Sequence, residues 1–226
     1  VLTATGITLA GNSAGSDGGG VYLMNGTTTL RGAQIYSNTA AAQGGGVRTS
    51  NATLMLTDAA IYSNTATQNG GGVSMLNSTA TAVTVTVTGN RTLLAGGGIN
   101  LNGVTVVSGL RLTGVTIAGN VSGASGGGIA ITDKAWLTAT RSSIAANSTG
   151  ASQYGGGIYL SGTNSRTDLN PDYTSRVVGI NLTDGVLIDD CADGEDGPLY
   201  IDNLVISTNG VSVDPLVIAL DVGGFE

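Results

Sequence analysis

The stretch IYSNTAAAQGGGV at residues 35–47 returns almost unchanged as IYSNTATQNGGGV at residues 61–73. Each copy joins an I-x-x-N segment to a G-G-G-[VI] segment at the same distance. Both segments recur together along most of the chain. Self-similarity at a fixed period is the sequence signature of a solenoid, so the structure within each copy decides the fold.

The glycine triplet occurs six times, at an even interval in the first four copies and a slightly longer one in the last two. We expect each triplet to form a turn in which a positive φ or a close backbone approach excludes a Cβ atom. The first glycines of the triplets are Gly18, Gly44, Gly70, Gly96, Gly126 and Gly155.

An asparagine precedes each triplet by six residues, or by eight in the last copy. We expect these asparagines to stack at a second turn, because Asn tolerates the left-handed backbone region and its amide can bond the Asn of the next coil. The predicted structural Asn ladder is Asn12, Asn38, Asn64, Asn90, Asn120 and Asn147.

The segments between these turns alternate as strands do, with Val83, Val85 and Val87 separated by threonines. A coil of such strands closes around a core one side chain deep, and successive coils pair in parallel at about 4.8 Å. Parallel crossovers are almost always right-handed. The sequence therefore predicts an all-β protein, a right-handed parallel β-helix (β-solenoid) of about seven to eight coils with 26–30 residues per coil.

A seventh, degenerate copy spans about residues 187–201, with Asp190 in the place of the asparagine. We expect coils over residues 1–201, interrupted by a loop insertion at about residues 162–175. A terminal coil or capping strands would occupy residues 202–226.

Composition excludes several classes of function. The chain has a net charge of −7 and only eight basic residues, so we expect no nucleic-acid partner. It has no histidine, which removes Ser-His-Asp and Cys-His catalysis. It has no apolar stretch of about 18 residues, so we expect no transmembrane helix.

The segment DDCADGEDG at residues 189–197 is the strongest feature outside the repeat. Carboxylates crowded among glycines suit Ca²⁺, although the spacing does not match an EF-hand loop. The candidate calcium ligands are Asp189, Asp193, Glu195 and Asp196. The alternative is an acidic solvated turn, and we expect no other cofactor.

The same region raises the hypothesis of an enzyme, because paired carboxylates or calcium with a basic residue can cleave polysaccharides. The candidates are Asp189, Asp190, Asp193 and Arg176, whereas residues 1–160 offer only Asp17, Asp58 and Asp133. Such sparse acids favour a protein that is not an enzyme, and we assign no catalytic residue.

The paired segments I-x-x-N and G-G-G-[VI] resemble the F-x-x-N and G-G-A-[ILV] repeats of the chlamydial polymorphic outer-membrane proteins, over about residues 7–201. Here Ile or Leu replaces Phe, and Gly replaces Ala. The resemblance implies a bacterial β-helix protein that is secreted or held at the cell surface, hence extracellular, with adhesion as its usual role.

The function that we expect is that of an extracellular structural or adhesive protein whose faces and loops bind cell surfaces, extracellular matrix, glycans or sister subunits. The first alternative is a homopolymer, a filament built by end-to-end stacking of end coils, because a head-to-tail contact need not close. The second alternative is a calcium-dependent polysaccharide lyase or hydrolase.

Overall fold

A computed structural model describes residues 1–151, 153–161, 166–168, 180–181 and 204–205. These residues contain strands and no helix, and every strand pairing between them is parallel. The chain winds as a right-handed β-solenoid of about six turns. The predicted fold is confirmed with fewer coils than the seven to eight expected. The degenerate copy at residues 187–201 lies outside the described residues.

Three sheets run along the solenoid. The described strands of the first sheet are Leu2–Thr5, Val21–Arg31, Val47–Thr57, Val73–Leu76, Thr79–Val83, Ile99–Thr113, Ile129–Thr140, Ile158–Ser161 and Arg166–Asp168. Those of the second sheet are Thr8–Ala10, Gln34–Tyr36, Ala60–Tyr62, Thr86–Thr88, Thr116–Ala118, Ser143–Ala145, Ile180–Asn181 and Leu204–Val205. Those of the third sheet are Ser13–Ala14, Thr39–Ala40, Thr65–Ala66, Arg91–Thr92 and Val121–Ser122.

The register follows the sequence repeat. Ile35 pairs with Ile61 in the second sheet, and Val47 pairs with Val73 in the first sheet. The partners of each pair are one sequence repeat apart, so each repeat makes one coil. Residues that occupy the same position in successive repeats therefore form columns parallel to the solenoid axis.

The longer strands of the first sheet have a kink at a residue with positive φ. Asn25, Asn51, Asn77 and Asp133 occupy this kink with φ values of 52°, 51°, 48° and 59°. The coil that carries Ile99–Thr113 is longer, and its register shifts between Gly103 and Ser108, at the level of the kink. The extra residues of that coil are therefore accommodated without disturbing the columns on either side.

The core consists of aliphatic columns. The column that precedes the asparagines is almost fully buried and contains Ile35, Ile61, Val87, Ile117 and Ile144. Two threonines enter the core of the first sheet. Thr28 is in register with Leu54 and is 6% exposed, whereas Thr49 lies between Leu23 and Met75 and is fully buried. The Oγ1 of Thr49 has no hydrogen-bond partner among the described residues.

A small apolar cavity of about 10 Å³ lies where Ala80 and Ala82 face Leu54 and Leu56 of one neighbouring coil. A cavity of that size holds at most about one water molecule, and an apolar lining keeps it dry. This cavity is therefore too small to hold a ligand larger than a water molecule.

Candidate functional site

The predicted ladder asparagines lie in one column at the corner between the second and third sheets. The Oδ1 atom of Asn64 accepts hydrogen bonds from the backbone N–H and from the Nδ2 of Asn38, each at 3.0 Å. The Nδ2 of Asn64 donates to Ile35 O in the preceding coil and to Oδ1 of Asn90 in the next. The same pattern runs from Asn12 to Asn147.

This arrangement satisfies side chains that water cannot reach. Asn38, Asn64, Asn90 and Asn120 are fully buried. Both polar ends of each of these four amides are bonded to neighbouring coils, so burial leaves no unsatisfied group. The four asparagines therefore hold successive coils at a fixed spacing and are not available to bind a ligand, whereas Asn12 in the first coil is exposed.

The expectation that the ladder asparagines adopt the left-handed backbone is wrong. The residue before each asparagine has the positive φ, for example 54° at Ser37 and at Ser63. The left-handed residue turns the chain, so that the backbone N–H of the following asparagine can reach Oδ1 in the next coil. Glycine or alanine occupies this position in the other coils, as at Gly89 and Ala146.

The glycine triplets form the turn that leads into the first sheet. The first glycines Gly18, Gly44, Gly70, Gly96, Gly126 and Gly155 have φ values between 63° and 72°. The second glycine is confined by backbone: a Cβ atom on Gly71 would lie 2.5 Å from both Arg91 O and Gly97 O. The first glycine folds back on the outer side of the following strand, since a Cβ atom on Gly44 would lie 2.9 Å from the Cα of Arg48.

This fold-back buries Arg48 beneath the turns of its own and the preceding coil. Its Nε lies 3.5 Å from Oδ2 of Asp17, and its Nη1 donates to Thr49 O and to Ser74 Oγ. Asp17 also accepts from the backbone N–H of Gln43, so the ion pair ties two successive turns together. The Arg48 side chain is only 5% exposed, and we assign it a structural role.

The outer side of the first sheet beyond the kink carries mainly threonines. Thr27, Thr53 and Thr79 are in register in three successive coils, and Thr29 and Thr81 flank Met55 in the next column. The threonines of this surface that are exposed or half-buried, here called the threonine face, are Thr3, Thr5, Thr27, Thr29, Thr53, Thr57, Thr79, Thr81, Thr113 and Thr140. Arg31 and Arg111 lie among these threonines, so the surface is rich in hydroxyl and methyl groups and carries two arginines.

A pair of aromatic rings stands on the second sheet. Tyr36 and Tyr62 are in register, and their rings stack with centroids 4.8 Å apart at an interplanar angle of 8°. Their neighbours in the same column are the smaller residues Ala10 and Thr88. Both tyrosines are half-buried, so the pair forms an aromatic ridge between smaller side chains.

The threonine face and the tyrosine pair were not predicted as functional surfaces. Their signal is nevertheless in the sequence, because Thr27, Thr53 and Thr79 follow one another at the interval of the repeat, as Tyr36 and Tyr62 do. Finding the threonine face requires the position of the kink, which determines the residues that turn outward.

The predicted calcium ligands Asp189, Asp193, Glu195 and Asp196 lie outside the described residues, as do Asp190 and Arg176. The calcium site and the enzyme candidates therefore stay predictions. Within the part of the chain that the structure describes, no group of three metal-binding side chains comes together. Among the acids there, Asp17 faces Arg48, and Asp58 pairs with Arg31 at 3.7 Å.

Comparison with known families gives one match. The family described as "Right handed beta helix region" matches residues 1–172, about three quarters of the chain. No curated protein and no solved structure matches the sequence. None of the described segments forms a helix long and apolar enough to cross a membrane.

Proposed function

The chain belongs to the right-handed β-helix family, and from this premise we propose that it is an extracellular structural or adhesive protein whose threonine face contacts neutral glycan chains. The family contains enzymes and non-enzymes, so membership leaves the question of catalysis open. The observation that carries the proposal is the threonine face itself, a hydroxyl-rich surface that extends over successive coils.

The chemistry of this face suits an uncharged sugar polymer. Threonine hydroxyls both donate and accept hydrogen bonds, and their methyl groups offer apolar contact. The columns repeat at the coil spacing of about 4.8 Å, so an extended ligand meets the same groups many times. Many weak contacts held in one geometry give avidity that a single contact lacks.

The charges favour a neutral ligand over an anionic one. Two arginines lie among the threonines of this face, Arg31 and Arg111, and Arg31 is paired with Asp58. Arg48, the other cation close to an acid, is buried. The threonine face itself therefore presents few cations to a polyanion such as a polyuronate.

The test is retention of the purified chain on insoluble cellulose and chitin, with immobilised polyuronate as the anionic comparison. The double variant Thr53→Arg/Thr79→Arg places bulky charge on the threonine face. The matched control, Thr39→Arg/Thr65→Arg, makes the same change at two exposed positions of the third sheet.

We expect retention on at least one neutral polysaccharide, reduced about tenfold by the threonine-face variant and unchanged by the control. A tenfold loss corresponds to about 1.4 kcal/mol of binding free energy. No retention on any neutral polysaccharide, or equal losses in both variants, would contradict the proposal. Release of unsaturated sugar products during the incubation would show a lyase instead.

A further inference from the structure

The three-residue pattern N-x-[ST], the acceptor sequence for N-linked sugars, occurs seven times in the chain. Its asparagines are Asn25, Asn51, Asn77, Asn90, Asn120, Asn147 and Asn181. In a chain rich in Asn and Thr such triplets also arise by composition alone. The structure, however, divides the first six into two groups of opposite orientation.

The first group lies at the kink of the first sheet. Asn25, Asn51 and Asn77 have φ values of 52°, 51° and 48°, and the flanking residues are in register from coil to coil. Asn25 and Asn51 are exposed and Asn77 is half-buried. The three asparagines therefore form one column on the outside of the solenoid.

In this group the hydroxyl residue is on the outside as well. The middle residues Ala52 and Ser78 are buried, whereas Thr53 and Thr79 are exposed. The hydroxyls of Thr53 and Thr79 lie 3.3 Å apart, so consecutive triplets are directly adjacent. Each triplet thus presents its amide and its hydroxyl on the same accessible surface.

The hydrogen bonds of Asn77 show which atoms of a side-chain amide are engaged at the kink. Its Oδ1 accepts from the backbone N–H groups of Thr105 and Val106, at 3.0 and 3.2 Å. These bonds fix the orientation of the amide and use only its oxygen. The nitrogen, the atom to which a sugar would be attached, has no hydrogen-bond partner among the described residues.

The second group belongs to the Asn ladder and faces the interior. Asn90 and Asn120 are fully buried, and Asn147 is 2% exposed. Both amide protons of Asn90 are bonded, to Ile61 O and to Oδ1 of Asn120. The hydroxyl residues Thr92 and Ser122 are buried too. An enzyme therefore cannot reach these ladder asparagines once the chain has folded, although they carry the same N-x-[ST] pattern.

We propose that Asn25, Asn51 and Asn77 are N-glycosylation sites, and that the ladder asparagines Asn90, Asn120 and Asn147 are not modified in the folded protein. The reaction joins Nδ2 to the anomeric carbon of a sugar carried on a nucleotide or lipid phosphate. The bond from that carbon to the phosphate oxygen breaks, and the amide nitrogen releases one proton to the surroundings. A glycosyltransferase supplied by the cell catalyses the transfer.

Such sugars would stand along the border of the threonine face, since each asparagine precedes Thr27, Thr53 or Thr79 by two residues. They would extend or shield that face according to their size. The inference does not rest on polysaccharide binding, because a glycosylated kink and a face that binds no glycan are compatible.

The direct test is glycopeptide mapping of the protein isolated from its own cells. We expect sugar on at least one of the three kink asparagines and on none of Asn90, Asn120 and Asn147. Unmodified asparagine at all three kink positions contradicts the proposal, and so does sugar on the ladder.

A second test examines the structural cause. The folded recombinant chain and the heat-unfolded chain are incubated with a soluble N-glycosyltransferase and a nucleotide-linked hexose, and a synthetic peptide of residues 22–30 shows that the enzyme is active. We expect hexose only at the kink asparagines of the folded chain, and at both groups after unfolding. Equal modification of both groups in the folded chain would overturn the structural argument.

Variants of the hydroxyl residues make the test site-specific. Thr27→Val, Thr53→Val and Thr79→Val each remove one hydroxyl and leave the asparagine and the β-branched shape in place. Each is expected to abolish hexose at its own asparagine and to leave the other two modified. Retention of hexose in all three variants would show that attachment does not depend on the triplet.

Discussion

Asn64 and Asn90 are 26 residues apart in the chain, yet the Oδ1 atom of Asn90 accepts both the backbone N–H and the side-chain Nδ2 of Asn64, each at 3.0 Å. One side-chain oxygen therefore joins two coils by two bonds. The repetition of this contact explains why the coils stay in register over the described length.

Replacement of a ladder asparagine is expected to be strongly destabilising. Asn64→Ala leaves the backbone N–H and the Nδ2 of Asn38 without their acceptor, and it removes the amide that donates to Ile35 O. Unsatisfied buried groups cost about 1–3 kcal/mol each, so we expect a loss of about 3 kcal/mol or more in the free energy of unfolding. Chemical denaturation measures it. Asn51→Gly is the control, since glycine accepts the positive φ there, and a comparable loss in both variants would count against the ladder.

The second glycine of a triplet is expected to tolerate no side chain. Gly71→Ala would place Cβ 2.5 Å from two carbonyl oxygens of the next coil, so the coils must separate locally. We expect a loss of about 3 kcal/mol or more, in the range of severe packing defects. Gly89→Ala is matched to it: there φ is 60° and the nearest atom, Ser63 Oγ, is 4.0 Å from Cβ. Gly89→Ala should lose only about 1–2 kcal/mol from backbone strain. A larger loss of stability in Gly89→Ala than in Gly71→Ala would be inconsistent with the described turns.

One buried hydroxyl is expected to be a defect that a single substitution repairs. Thr49→Val keeps the shape of the side chain and removes an Oγ1 that is buried without a partner among the described residues. We expect the free energy of unfolding to rise by about 1 kcal/mol. In Thr92→Val the same change removes a hydroxyl that donates to Gln68 O, so stability should fall by about 1 kcal/mol. Equal shifts of the denaturation midpoint would refute the assignment.

The ion pair between Arg48 and Asp17 is expected to be asymmetric. Asp17→Asn leaves the Arg48 side chain, which is 5% exposed, without its counter-charge, and this should cost about 2–3 kcal/mol. Arg48→Met removes the buried charge and leaves Asp17, which is 24% exposed, to be solvated, so the change should be within about 1 kcal/mol. Thermal unfolding of both variants at one pH compares their losses of stability. A larger loss for Arg48→Met than for Asp17→Asn would contradict the burial of Arg48 described here.

The periodicity of the sequence was sufficient to predict that equivalent residues form columns. It did not predict that a glycine turn would cover an outward-facing side chain such as Arg48. The spacing of 26 residues placed Asn38 on Asn64 because one coil contains that number of residues. It could not show that Arg48 would be buried, since alternation alone predicts an outward and solvated position. The fold-back of the triplet onto the following strand is a tertiary contact between residues such as Gly44 and Arg48, and no local pattern encodes it.

The identity of the left-handed residue also escaped prediction for a physical reason. Asparagine is the residue type that best tolerates positive φ, so the ladder position was the natural choice. In the structure Ser37 takes this conformation, because the following Asn38 must direct its N–H to the next coil. The hydrogen-bonding requirement of the ladder outweighs the intrinsic preference of the residue.

The outward orientation of the threonine face and the opposite orientations of the two groups of N-x-[ST] triplets have one cause. A strand turns alternate residues inward and outward, so the direction of Thr53 or Thr92 depends on the nearest kink or corner. Asn51 lies at a kink and Asn90 lies at a corner, and the two triplets consequently face opposite ways. The N-x-[ST] pattern alone does not predict this difference in orientation.

The stacking of coils through the ladder is tested most directly by nuclear Overhauser contacts between the side-chain amide protons of Asn38, Asn64, Asn90 and Asn120 in ¹⁵N-labelled protein. The stacked coils predict contacts between ladder neighbours, and amide protons that exchange far more slowly than those of the exposed Asn25 and Asn51. Absence of the Asn64–Asn90 contact, together with equally fast exchange at all of these amides, would contradict the ladder and the solenoid built on it.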